Sequence, residues 1–210
     1  MSASTFPPDD LRSLNAAQLD ALREVANIGA GHAATALSQM TDQQIMISVP
    51  ELNIVPLDQV PNQISAPEEP VAAVLMSMEG DLTGLTLLVF PHPIALRVAG
   101  LMMRRSVTKL GAIEESAIKE AGNILSAAYL NALADFMKMT LLPSPPSLAI
   151  DMSDAVLTST YVASSNGSTH VVCVESEFHL READEKLRGF FLLLPDPPSL
   201  RAILKAIRVA

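Results

Sequence analysis

The chain is written twice. Residues 19–27 read LDALREVAN and residues 115–123 read ESAIKEAGN. In both, a polar residue is followed four positions later by Glu and three positions after that by Asn. The two sets are Asp20, Glu24, Asn27 and Ser116, Glu120, Asn123, displaced by 96 residues. The same displacement carries Pro50 onto Pro146. A fixed-offset repeat constrains a fold strongly, because each copy must form the same unit and the two units must pack together.

The pattern continues beyond the motifs. Extended stretches follow Pro50 (residues 51–55) and Pro146 (residues 147–152). Residues 71–78 and 85–90 read as two strands around a Gly-containing turn. Their counterparts are residues 170–178 and 190–194, joined by a longer charged loop over 180–189. Each hairpin runs into a proline, Pro91 or Pro195, and then an amphipathic helix, 94–103 or 198–209. Each half therefore reads helix, strand, hairpin, helix. Residues 55–70 carry four prolines and little periodicity, and are expected to form a surface loop or irregular edge.

The halves meet at residues 104–111, which are neither long nor Pro/Ser-rich. One domain over 1–210 is expected, built of repeats at about 11–103 and 107–210 that share a sheet with pseudo-twofold symmetry. Residues 1–10 are expected to be flexible.

Both motif segments read as long helices, over 15–40 with Asn15 as a cap, and over 113–137. At 100° per residue, Glu24 and Asn27 fall within about 40° of Asp20. The opposite side carries Leu22, Ala26, Gly29, Ala33, Leu37 and Met40. In the second helix Ser116, Glu120 and Asn123 share one edge, opposite Ile118, Leu125, Tyr129, Ala132, Leu133 and Phe136. Each triplet is thus expected on a solvent ridge above a buried stripe. The next ridge residue is small both times, Gly31 and Ala127, which would let another protein's backbone approach. A solvated face explains such a triplet once. It does not explain a mid-helix Asn, a mediocre helix former, placed twice.

Composition narrows the chemistry. Fourteen Lys+Arg against 23 Asp+Glu give a net charge of −9, which argues against a nucleic-acid partner. The 49% apolar content argues against disorder, and one cysteine excludes a disulfide framework. The N-terminus lacks the pattern of a secretory signal, and no apolar run is long enough to span a membrane. A soluble cytoplasmic protein is expected. The sequence holds no GxxxxGK[ST] loop and no HExxH motif. The four histidines show no ligand spacing, so no metal is expected. Cys173 reads as a small buried hydrophobe in a strand.

Asn does not titrate, but its carboxamide can hold a water; an exposed Glu can pair with a cation. So sparse a site suits a bond that is already activated. Hydrolysis of an acyl phosphate, in which catalysis is mostly the positioning of an in-line water, is such a case.

The duplicated pattern Asp20-x3-Glu24-x2-Asn27-x22-Pro50 and Ser116-x3-Glu120-x2-Asn123-x22-Pro146 resembles the CheC/CheX/FliY family of chemotaxis phosphatases. The resemblance runs from about Leu11 to the end. Two motifs, where CheX carries one, and no additional C-terminal switch domain as in FliY, make it most similar to the CheC branch. The resemblance implies an α/β (α+β) fold in which two long helices pack on a six-stranded, mainly antiparallel sheet. It implies dephosphorylation of a CheY-type receiver at its aspartyl phosphate. Glu24 and Glu120 would pair with the receiver's lysine, and Asn27 and Asn123 would orient the attacking water. Asp20, Gly31, Ser116 and Ala127 would contact the partner. Mg²⁺ would be carried by the receiver, with no cofactor on this chain. A CheD-type deamidase is a further implied partner, and a monomer is expected. His32 stands where the family pattern has Asn, and is expected to bear on packing more than on catalysis. Two other readings stay open: a binding module that sequesters a phosphorylated receiver or regulates a CheD-like deamidase, and a dimerisation scaffold.

Overall fold

The computed structural model describes residues 11–65, 69–164, 170–181 and 184–209. Residues 1–10, for which flexibility is expected, lie outside them. The element order helix–strand–helix–strand–strand–helix runs twice. The first pass is α1 (Ala16–Thr41), β1 (Ile45–Pro56), α2 (Val60–Ile64), β2 (Pro70–Gly80), β3 (Gly84–Pro91) and α3 (His92–Met103). The second is α4 (Ala112–Met137), β4 (Leu141–Pro143) with β5 (Ser147–Met152), α5 (Ser153–Ser164), β6 (His170–Leu180), β7 (Glu185–Pro195) and α6 (Pro197–Val209).

Among the described residues the strands form one sheet of seven, in the order β1-β6-β7-β3-β2-β4, with β5 also on β2. All pairings are antiparallel. The strand after each motif helix does not join its own hairpin. β1 pairs with β6 of the second pass, while β4 and β5 pair with β2 of the first. Chain connectivity thus ties each half's edge strand to the other half's hairpin.

The expected six strands become seven because one position of the repeat is split. β1 is continuous, although its register shifts between Ser48 and Glu51. Its counterpart breaks between Pro143 and Ser147, across Pro145 and Pro146. Two adjacent prolines offer no N–H to a ladder, so the strand ends and restarts.

Helices cover both faces. α1, α3, α4 and α6 pack on one, over Ala72, Val74, Met76, Leu88, Val174, Phe191 and their neighbours. The other face carries a second cluster, in which Leu57, Val60, Ile64, Val156 and Leu157 lie over Val71, Ala73, Val89 and Cys173. Burial on both faces explains the near-continuous apolar run of β7, from Phe190 to Leu194.

Of the segment expected to be a surface loop or irregular edge, residues 66–68 lie outside the described residues, and residues 55–65 are not a surface loop. Val55 still belongs to β1, and a 3₁₀ turn and α2 then bury Leu57, Val60 and Ile64 against the sheet. The expected loop over 180–189 is also shorter, since β7 begins at Glu185. Lys186 and Arg188 alternate outward there and pair with Glu177 and Glu175 across the strands. Charge made this segment look like a loop, whereas it is a strand end with one wet face. α5 has no counterpart in the sequence reading. Cys173 is buried as expected, and desolvation pushes its thiol up to about 12.

α1 and α4 pack against each other over much of their length. The buried stripe of α1 comprises Leu22, Val25, Ala26, Gly29, Ala30, Ala33, Ala34, Leu37 and Thr41. Met40, expected within it, is 42% exposed, because the helix turns its last buried position to Thr41. In α4 Ile118, Leu125, Tyr129, Ala132 and Leu133 are buried as expected, and Phe136 is half-buried.

Candidate functional site: two helix ridges at the sheet edges

α1 starts where its sequence says it should. Asn15 accepts a hydrogen bond from the Gln18 N–H at 3.0 Å, and the Gln18 side chain accepts from the Asn15 N–H at 2.9 Å. This capping box fixes the helix phase and hence the ridge. Along it Asp20, Glu24 and Gly31 are exposed. Asp20 is held by Arg23 at 2.6 Å, an exposed pair that contributes little to stability. Glu24 makes no hydrogen bond or ion pair among the described residues, so its carboxylate is available to an incoming cation.

Asn27 differs from expectation. It is half-buried, and its Oδ1 accepts a hydrogen bond from the backbone N–H of Val49 at 3.1 Å. β1 returns alongside α1 and covers one flank of the ridge. The 22-residue interval between Asn27 and Pro50 is the sequence signal of this return. Helical periodicity alone could not show it, because the covering strand is remote in the chain.

The second ridge lies on α4. Here Glu114 accepts from the Gly111 N–H at 3.1 Å and pairs with Arg105. Hydrogen bonds from its own backbone, from Arg105 and from Gly111 hold the Glu114 carboxyl below the usual carboxylate range. Ser116 is exposed, and its hydroxyl donates back to the Ala112 carbonyl at 2.9 Å. Glu120 is exposed and, like Glu24, makes no hydrogen bond or ion pair among the described residues. Asn123 and Ala127 are half-buried. Both ridges therefore present an open carboxylate one turn before a partly sheltered amide. They lie at opposite edges of the sheet, beside β1 and beside β4 and β5.

The repeat interval finds residues that the motif does not. Met46 and Leu142, 96 apart, are 48% and 58% exposed on the two edge strands. Ile28, next to Asn27, is 49% exposed. Large apolar side chains left in water at matched positions are candidates for partner contact. Comparing exposed as well as polar positions at the same offset would have flagged the pair. His32 is exposed.

The duplicated ridge and the sheet that carries it are those of a known group, and the chain belongs to the CheC-like family. The family model matches residues 18–54 and 113–150, the two ridges with the strands that follow them. The CheY-P phosphatase CheC of Bacillus subtilis (strain 168) is 33% identical over 195 residues, covering 90% of this chain and 93% of that relative. The flagellar motor switch phosphatase FliY of the same organism is 27% identical over 146 residues, covering 68% of this chain and 37% of FliY. In fold, the chain is similar to the X-ray crystal structure of Thermotoga maritima FliY, with a TM-score of 0.78 and 24% identity. That match covers 93% of this chain and 98% of the other.

Proposed function

We propose that this chain is a phosphatase that removes the phosphoryl group from the aspartyl phosphate of a CheY-type receiver. The observation that carries this reading is the pairing, made twice, of an unpartnered carboxylate with a half-buried amide three residues on. Glu24 or Glu120 pairs with the receiver's lysine and fixes the docking register. Asn27 or Asn123 then enters the receiver's site and orients a water in line with the acyl–phosphate bond. The water oxygen attacks phosphorus, the bond to the aspartyl oxygen breaks, and the Asp carboxylate and inorganic phosphate are the products. Mg²⁺ belongs to the receiver and accompanies the substrate. Gly31 and Ala127 leave room for the partner's backbone, with Asp20 and Ser116 at the rim.

The reading extends to setting. The resemblance to CheC brings a CheD-like deamidase as a second partner. Duplication supplies two ridges in one chain, so a monomer is sufficient. No helix among the described residues is long and apolar enough to cross a membrane, in keeping with action in the cytoplasm.

Two substitutions test the docking role. Glu24→Lys with Glu120→Lys puts like charges against the receiver's lysine, and is expected to raise KM at least about tenfold, an effect of roughly 1.4 kcal/mol. An unchanged KM would place the docking elsewhere. Gly31→Ala adds a methyl where no atom lies within 4 Å. It is expected to raise the stability of the chain by about 1 kcal/mol through helix propensity, read as a higher denaturation midpoint. The same methyl is expected to raise KM at the first ridge when Asn123→Ala has silenced the second. Higher stability with unaltered KM would remove Gly31 from the interface.

A further inference from the structure

We infer that the backbone N–H of Val49 is a positioning group for Asn27, that the second ridge has no counterpart, and that the first site therefore turns over faster. The inference rests on the phosphatase reading above.

A backbone N–H can only donate, so the Asn27 atom 3.1 Å from Val49 N must be the carboxamide oxygen. One bond to Oδ1 fixes the plane of the amide. It leaves the second lone pair of Oδ1 and both Nδ2 hydrogens with defined directions. Val49 is free to make this bond because of its place in the sheet. The register between β1 and β6 shifts between Ser48 and Glu51, which takes Val49 and Pro50 out of the ladder. The irregularity beside Pro50 thus turns a strand donor onto the helix ridge.

At the second ridge the 96-residue offset puts Pro145 in the place of Val49. Proline has no N–H to give. The donors of Ser144, next to Pro145 in the chain, are committed elsewhere. Ser144 N–H donates to the Ser77 carbonyl at 2.9 Å, and the Ser144 hydroxyl to the Pro145 carbonyl at 3.3 Å. Among the described residues the Asn123 side chain makes no hydrogen bond. Asn123 must therefore be ordered when the receiver docks, whereas Asn27 is ordered beforehand. The glutamates that set docking are alike at the two ridges, so the difference should appear in kcat and not in KM. A single net hydrogen bond corresponds to a rate ratio of about fivefold.

The test uses two one-site proteins, Asn123→Ala and Asn27→Ala, assayed on a phosphorylated CheY-type receiver. The first-ridge protein is expected to show a kcat about fivefold higher, with KM values within about twofold. Adding Val49→Pro to it should bring kcat down to the second-ridge level at unchanged KM. Val49→Ala, which keeps the N–H, should not. Val49 is buried, so the proline variant is checked for folding, and two arms do not depend on it. Pro145→Ala in the second-ridge protein restores an N–H and should raise its kcat. In the unmodified chain the side-chain amide of Asn27 should show a higher NMR order parameter than that of Asn123. Equal kcat values, a faster second ridge, or equal amide order would overturn the inference. A chain with no turnover in any form would refute the phosphatase reading and the rate difference with it. The amide order parameters, which need no receiver, would still separate an anchored Asn27 from an unanchored one.

Discussion

Replacing both Asn27 and Asn123 by Ala is expected to lower kcat on a phosphorylated receiver at least about 100-fold, or roughly 2.7 kcal/mol of barrier. Each single change should leave the activity of the other ridge. The loss should fall on kcat, since docking is assigned to the glutamates and an amide that orients water acts in the transition state. Neither Asn supports its helix: Ala is the better helix former, and the cost in folding is confined to the Asn27–Val49 hydrogen bond. The double variant should therefore fold, giving the wild-type circular dichroism spectrum. A variant that folds and retains turnover would move the chemistry away from the ridges. One that loses affinity at constant kcat would favour the binding-module reading.

The second large effect concerns the crossing of the two motif helices. A Cβ built on Gly29 would stand 2.9 Å from the Tyr129 Cα, 2.9 Å from its Cδ1 and 3.1 Å from the Ala128 carbonyl oxygen. Two of these atoms are backbone, so relief requires the helices to separate. Tyr129 itself cannot retreat. Its hydroxyl lies 2.6 Å from the Ser176 hydroxyl, and its ring stacks on Phe191 at 4.7 Å between centroids. Burial, only partly offset by the bond to Ser176, pushes the Tyr129 hydroxyl up to about 12, so the ring is neutral where it sits. Gly29→Val is expected to cost about 3 kcal/mol through overpacking, a fall of roughly 6–12 °C in Tm. Gly31→Ala, two residues away on the open side, should move the midpoint upwards. An unchanged midpoint for Gly29→Val would mean that the α1–α4 contact does not hold the ridges in place.

Gly29 and Gly31 also illustrate what a sequence can disclose. Periodicity alone put Gly29 on the buried stripe and Gly31 on the ridge, and the structure agrees at both. Helices α1, α3, α4 and α6, the Asn15 cap of α1 and both hairpins were legible because their signals are local. Three features were not local. The pairing of β1 with β6 and of β4 and β5 with β2 joins residues far apart in the chain, and repeat spacing says nothing about which half a strand will join. The shelter over Asn27 comes from a strand 22 residues on, outside any helical wheel. α2 and α5 lie under segments whose prolines, serines and threonines resemble loop composition, yet their few apolar residues close the second core. The candidate residues were thus found from the repeat, while their sheltered setting required the fold.

The most direct test of the account is the lifetime of a phosphorylated CheY-type receiver with Mg²⁺, followed with and without a substoichiometric amount of this chain. One part of chain to about ten of receiver is expected to shorten that lifetime, releasing many equivalents of inorganic phosphate per chain. An unchanged or lengthened lifetime, with the chain bound to the receiver, would contradict it.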